Sequence, residues 1–487
     1  MLINKRLGNT IMKKNIKNIT LGVALFAAVG SFCSCEGFLD EEPVLKQSNE
    51  LTFSSYEGLN SAGAALYSMM QSASWYDGQF ILQSELRAGN AKNPVSLPGS
   101  GRYRGDTQWN YTANSTSSLW TYAYYTISWA NNILNNLDGK SETGVTQQDW
   151  DNLKAEALFM RALCHFDLVI TYAQPYTSQP NSLGVPVVLV TENGLPARNT
   201  VAEVYDQVVS DLKEAEGLIS DNFTRADASD AAAMVSKSAI QGLLSRVYLY
   251  MGQWQNAADY ATKVINSGKY SLYSGQDYLD MWSAQVAAKG GEIIFEVFGS
   301  QKNEYWDESG WTHLPYITGM GEEGSEDICA TSDLVDMYEA GDVRLQLFYK
   351  NENDNMIKKY YGKEGGIPRQ VNVPVIRFAE MYLNRAEAIA NGASISGASA
   401  RGDLETIAAK RGATVPATFS VFDERRKELM FEGHIVYDYA RTGTSLVRTD
   451  FDGVNNKDVP FPNYRWAMPI PKREMDANPN MVQNEGY

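Results

Sequence analysis

The stretch AIQGLLSRVYLYMGQWQNAADYATKVINSGKY, residues 239–270, constrains the fold of this chain more than any other. Apolar residues recur at helical spacing on both sides of a break at Gly252, which predicts two antiparallel helices joined by a short turn. Leu244, Ser245 and Tyr248 line the first helix, Gly252 and Trp254 form the turn, and Ala257 and Ala261 face back from the second. Small residues at such offsets let two helices approach closely while an aromatic ring fills the corner. A pair of this kind cannot bury its apolar face alone, so further pairs stacked on it are expected.

They are present. Residues 116–139 (TSSLWTYAYYTISWANNILNNLDG) and 148–173 (QDWDNLKAEALFMRALCHFDLVITYA) form one pair, 201–219 contribute a long amphipathic helix, and 375–392 with 403–412 form another pair. The pattern fits tetratricopeptide-like repeats, and the fold class read from it is mainly α: a helix-pair scaffold with long irregular loops and short strands. Residues 75–116 and 270–375 are rich in Gly, Asn, Ser, Asp, Trp and Tyr and lack a helical period, so they are read as loops and strands laid over that scaffold. Loops of such length in a compact domain usually carry function. Five prolines between Val459 and Tyr487 predict a largely non-helical tail. VPVVLV (185–190) is read as a buried strand or loop.

The start of the chain reads as a secretory signal over residues 1–34: Lys13, Lys14 and Lys17 precede an apolar run from Ile19 to Phe32 that is too short to span a membrane. Met12, directly before two lysines, is the expected start codon. The run ends at Ser34 against Cys35, similar to the lipobox of bacterial lipoproteins, with Phe32 where Leu is more usual; a lipidated Cys35 would open the mature chain. The whole sequence carries a net charge of −16, and residues 1–34 hold five basic groups and no acid, which leaves −21 on residues 35–487. Such a surface repels nucleic acid. Cys35 being assigned to lipid, Cys164 and Cys329 are left as buried free thiols, with a bridge between them as the alternative.

The segments CEGFLDEEP (35–43), RALCHFDLVITYAQPY (161–176), GVPVV followed by ARNTVAEVYDQVVSDLKEAE (197–216), LLSRVYLYMGQWQNAADYATKVI, RFAEMYLNRAEAIA, ERRKELMFEGHIVYDYART (424–442) and PIPKREMDANPNMVQNEGY (469–487) together resemble the SusD/RagB family, in the family's order and over nearly all of residues 35–487. The resemblance implies a single domain, with helix pairs in 35–270, a loop-rich part in 271–375 and closing helices and tail in 376–487. It also implies a lipid-anchored protein on the outer face of the outer membrane of Bacteroidetes, acting in nutrient uptake as a hinged lid on a SusC-type TonB-dependent transporter. Family members bind mainly oligosaccharides and some bind peptides; glycan is favoured on family frequency, and peptide stays open.

Sugar capture needs flat apolar faces and hydrogen-bonding groups. The resemblance puts the ligand arc in the two irregular regions. The first offers Trp75, Tyr76, Tyr103, Trp109 and Tyr111, with Arg87, Asn90 and Asn93 as polar neighbours; the second offers Tyr305, Trp306, Trp311, His313 and Tyr316, with Asp307. The alternative is that these rings pack the loops onto the scaffold. Trp306 and Trp311, set among Gly, Asp, Glu and Ser, are the strongest candidates for exposure. Trp120, Trp129, Trp150 and Trp254 sit at helical spacing and are assigned to the core.

Catalytic signals are weak. Gly319, Gly321 and Gly324 spell G-x-G-x-x-G, but Glu322 and Glu323 would confront a pyrophosphate. Residues 136–141 imitate the end of a P-loop, yet Leu134 stands where its first glycine belongs. His165, His313 and His434 are the only histidines and suggest no metal cluster. No cofactor, metal or enzyme activity is expected, a surface glycoside hydrolase being the rival reading. Glu424, Arg425, Glu428, Glu432, Asp438 and Arg441 are read as a partly buried ion network that fixes the C-terminal helices.

Overall fold

The computed structural model describes residues 52–95, 101–114, 118–191, 194–225, 231–283, 291–298, 325–360 and 372–487. The chain divides into two units, Met1–Ser54 and Ser55–Tyr487, and the architecture below is that of the second. Its helices of eight residues or more are α1 (Tyr56–Met69), α2 (Gln79–Arg87), α3 (Leu119–Asn135), α4 (Gln147–Tyr172), α5 (Val201–Leu218), α6 (Lys237–Tyr250), α7 (Trp254–Ile265), α8 (Gly275–Ser283), α9 (Phe378–Ala390), α10 (Ala400–Arg411), α11 (Val421–Glu428) and α12 (Ile435–Thr442). Consecutive helices pack on one another from α3 to α7, α9 packs on α7, and α10 packs on α9. The mainly α, tetratricopeptide-like scaffold expected from the sequence is therefore present.

Local chemistry sets the helix limits. Thr146 and Thr200 each open a helix through a capping box, with Asp149 and Glu203 bonding back to the cap N–H. Gly412 closes α10 at φ +69°, a left-handed conformation that a side chain would strain. Helix α4 is buried on nearly every face because α1, α3 and α5 all pack against it. Ser245 shows why the α6–α7 contact needs small residues: its Oγ donates to the Ala257 carbonyl at 2.9 Å across the two helices.

Strands β1 (Ala91–Lys92), β3 (Cys329–Ala330), β5 (Asp354–Ile357) and β4 (Phe348–Asn351) form an antiparallel sheet in the order β1-β3-β5-β4, while β2 (Ile293–Val297) pairs with β6 (Val373–Arg377). The β1–β3 pairing, Ala91 opposite Ala330 and Lys92 opposite Cys329, joins the two irregular regions.

Several expectations need correction. Region 75–116 contains α2, whose residues Phe80 to Arg87 are all buried and whose nine residues are too few to establish a helical period in a sequence window. Region 270–375 contains α8 besides its strands. VPVVLV forms no strand; Val185 is buried while Leu189 and Val190 are exposed. Trp120 and Trp150 are core residues, but Trp129 and Trp254 are only half-buried. Cys164 and Cys329, by contrast, are buried free thiols as expected, without a bridge. Among the described residues no helix is long and apolar enough to cross a membrane.

The ion network is larger and drier than the sequence suggested. Glu428 accepts from Arg411 at 2.7 Å, Arg344 at 3.0 Å and Arg377 at 3.1 Å. Arg377 also holds Glu432 and Glu292, Arg344 holds Asp342 and Glu424, and Lys359 bonds Glu432 at 2.8 Å. A second cluster links Arg425 and Arg441 through Asp438, and Arg441 to Glu387. Burial pushes the Glu428 carboxyl up, but its three guanidinium neighbours outweigh that and hold it well below the ordinary carboxylate range.

Candidate functional site

Where the second irregular region leaves and rejoins the scaffold is fixed by side chains between residues 71 and 102. At the end of β2, the Phe298 carbonyl accepts from Gln71 Nε2 at 2.6 Å, just beyond the end of α1. On the other side of residues 299–324, Asn93 Nδ2 donates to the Asp327 carbonyl at 2.9 Å, and Arg102 pairs with the Asp327 carboxylate at 3.0 Å. The stretch that carries Tyr305, Trp306, Trp311, His313 and Tyr316 therefore begins and ends against residues 71–102. Beside Gln71 and Phe298 lies a cavity of about 190 Å³, with Tyr67, Arg225 and Glu296 in its wall. Arg225 is spent on Glu156 and Asn60, and Tyr67 also bonds Glu156, so this wall is preset.

The 70–78 turn is pinned from below. Trp75 Nε1 and Tyr76 Oη both donate to Asp167 Oδ2 of α4, at 2.8 and 2.9 Å. Burial pushes the Asp167 carboxyl up to about 7, against these two hydrogen bonds, which favour its charged form. Burial likewise lifts Glu85 to about 7, against donors from Asn90 and the Gly433 N–H. In an unfolded chain such carboxyls titrate near about 4. Between about pH 4 and pH 7 the folded state thus keeps protons that the unfolded state has released, and stability falls as pH rises through that window and levels off above it. Asp167→Asn, which retains an oxygen for both donors, is expected to flatten the slope. Denaturant titrations at pH 5 and pH 8 check this: wild type should lose more stability over the interval than the variant, and equal losses would assign the slope elsewhere.

Apart from half-buried Tyr103, the first-region candidates do not present faces to solvent. Trp75 is 0% exposed, Tyr76 3% and Trp109 1%. Trp75 and Tyr76 stand on Asp167, whereas Trp109 donates to the Arg87 carbonyl at 2.9 Å and packs edge-on against Trp466 at 4.8 Å. Arg87 lies over the Trp109 ring at 4.6 Å and donates to the carbonyls of Arg465 and Trp466. Asn90 bridges Glu85 and Arg426, each at 2.7 Å. Trp75, Tyr76, Arg87, Asn90 and Trp109 are therefore packed inside the folded unit: α4 and the C-terminal tail cover the rings and Arg87, while Glu85 and Arg426 hold Asn90. Tyr111 and Asn93 are buried as well, and Tyr103 is half-buried. Tyr305, Trp306, Asp307, Trp311, His313 and Tyr316 lie outside the described residues, as do Cys35 and the signal segment.

His165 and His434 are structural. Burial, with Arg161 nearby, lowers His165 to about 3, so the ring is neutral, with Nδ1 at the Arg161 carbonyl and Nε2 accepting from the Val188 N–H. His434 is held far below its ordinary value by burial and the surrounding arginines. Sequence reasoning missed Gln71 and Asp167. An acid set directly within the apolar run Phe166–Ile170 was the available signal for Asp167; Gln71 carried none, since its partner is a main-chain carbonyl 227 residues away.

Comparison with known proteins gives consistent matches. A family profile described as "Starch-binding associating with outer membrane" matches residues 37–249, and one described as "SusD family" matches residues 348–487. A solved structure described as a putative sugar binding protein from Bacteroides vulgatus superposes with a TM-score of 0.78 at 31% identity, covering 88% of this chain and 98% of that one. A SusD-like protein of Formosa agariphila is 25% identical over 96% of this chain and 99% of its own length. The starch-binding protein SusD of Bacteroides thetaiotaomicron is 23% identical, over 78% of this chain and 80% of its own.

Proposed function

The chain belongs to the SusD/RagB family, and we propose on that premise that it is a lipid-anchored surface protein that captures oligosaccharides and passes them to a SusC-type TonB-dependent transporter as a hinged lid. The observation that carries this reading is the joining of the two irregular regions. Phe298, which precedes residues 299–324, is held by Gln71, and Asp327, which follows them, is held by Asn93 and Arg102. Family-type capture by rings on that stretch, Tyr305, Trp306 and Trp311, uses stacking against sugar C–H faces without any catalytic group.

A site handing its ligand onward has to bind weakly, and a dissociation constant near 1 mM corresponds to only about 4 kcal/mol. Trp311→Ala, removing a ring worth roughly 1 to 2 kcal/mol, is expected to weaken binding about 5- to 30-fold without moving the melting temperature. Calorimetry with maltoheptaose, laminarihexaose and a mixed peptide pool checks it. Unchanged affinity or a large drop in melting temperature would make Trp311 a packing residue, and heat from peptides alone would move the ligand class from glycan to peptide. Affinity purification from native membranes tests the partner: repeated recovery without a barrel protein counts against the lid.

A further inference from the structure

A second cavity, of about 580 Å³, lies between residues 174–183 and the C-terminal tail, and shares no lining residue with the cavity beside Gln71. Its walls are tied together by side chains bonding to main chain. Gln174 Nε2 donates to the Tyr464 carbonyl at 3.0 Å, and Asn484 Nδ2 donates to the carbonyls of Tyr172 and Met468 at 2.8 and 2.7 Å. The volume falls within the roughly 300–1,000 Å³ typical of small-molecule sites.

The hydrogen-bonding capacity left over in this groove decides what it suits. Arg198, the cation in its wall, is spent on the carbonyls of Gly184, Leu183, Val482 and Tyr172. Among the described residues, the exposed side chains of Gln179 and Glu485 make no hydrogen bond or ion pair. Among the described residues, the Asn484 side chain bonds only through its Nδ2 and the Asn463 side chain only through its Oδ1, which leaves the other amide atom of each. Leu183, 40% exposed, and Pro462 add aliphatic surface. Amides both donate and accept, and a carboxylate accepts from two hydroxyls at once, so the groove matches a hydroxyl-rich neutral ligand. An acidic ligand would meet the Glu485 carboxylate, and the Arg198 guanidinium in the wall, with four of its N–H groups taken by carbonyls, has no bidentate fork left to pair with it.

We propose that this groove is a second saccharide site, specific for neutral sugars and independent of the site assigned to residues 299–324. It offers edge and hydroxyl contacts more than stacking, because the Tyr464 ring already lies under the Arg465 guanidinium at 4.6 Å and packs edge-on against Tyr487 at 5.1 Å. A long glycan held at both sites would dissociate more slowly than from either alone.

The test titrates the full mature chain with maltotriose, laminaritriose and mannotriose, with trigalacturonate as the acidic comparator. Wild type, Trp311→Ala, the double variant Gln179→Ala/Glu485→Ala and all three substitutions together are compared. The two groove residues are exposed and unbonded, so the double variant should melt with wild type. At least one neutral trisaccharide is expected to bind Trp311→Ala saturably, and to bind at least 5-fold more weakly once Gln179→Ala/Glu485→Ala is added to Trp311→Ala, with trigalacturonate giving no binding. Binding lost altogether in Trp311→Ala, unchanged when the groove pair is added to it, absent for all three neutral sugars, or stronger for trigalacturonate overturns the second site. Binding unaffected by Trp311→Ala but lost in the double variant upholds the groove and overturns the Trp311 assignment instead. A crystal soaked with the bound trisaccharide gives an independent reading: density against Gln179 and Glu485 supports the proposal, and density elsewhere alone overturns it.

Discussion

Glu428→Ala is expected to destabilise the folded unit by roughly 3–5 kcal/mol, the largest stability change of any single substitution suggested by this structure. Glu428 is fully buried and neutralises Arg344, Arg377 and Arg411 together, so its loss leaves three guanidinium groups facing one another with one carboxylate fewer. The repulsion and the desolvation cost then act in the same direction. The contrast is Glu405→Ala, which removes only the exposed pair to Arg401 at 3.3 Å and is expected to cost within about 0.5 kcal/mol. Denaturant melts of both variants beside wild type decide the matter. If Glu428→Ala unfolds with Glu405→Ala, the network is held by packing and its ion pairs are incidental; if Glu428→Ala yields no soluble protein, Glu428→Gln, which keeps the shape and half the acceptors, should fold with an intermediate loss.

Cys35→Ala is expected to release the protein from the membrane almost completely. The Ser34-Cys35 junction predicts a lipidated mature terminus, and each buried methylene contributes about 0.8 kcal/mol of anchoring. A triacylated cysteine is thus a firm anchor where a single chain is marginal. Among the described residues no membrane-spanning helix stands ready to replace it. Metabolic labelling with a fatty acid and fractionation of cells should show label and membrane association in wild type and neither in Cys35→Ala. Label that persists in Cys35→Ala and vanishes in Cys33→Ala would move the anchor by two residues.

The helical scaffold was legible from residue patterns. The α6–α7 pair was legible because its signal is local: Leu244, Ser245, Ala257 and Ala261 lie within 18 positions, and helical periodicity reports which face they share. The ion network was legible in part, since Glu424, Arg425, Glu428, Glu432, Asp438 and Arg441 crowd one apolar segment. Their partners Glu292, Arg344, Lys359 and Arg377 come from strands and turns far away in the chain, and no local pattern announces them. Tertiary structure alone decided which aromatic rings face solvent. Trp75, Tyr76 and Trp109 stand among polar residues as exposed rings would, yet Asp167 of α4 and Trp466 of the tail bury them. Burial of a loop residue depends on which distant segment crosses above it, and that is settled by long-range packing that a sequence window does not contain.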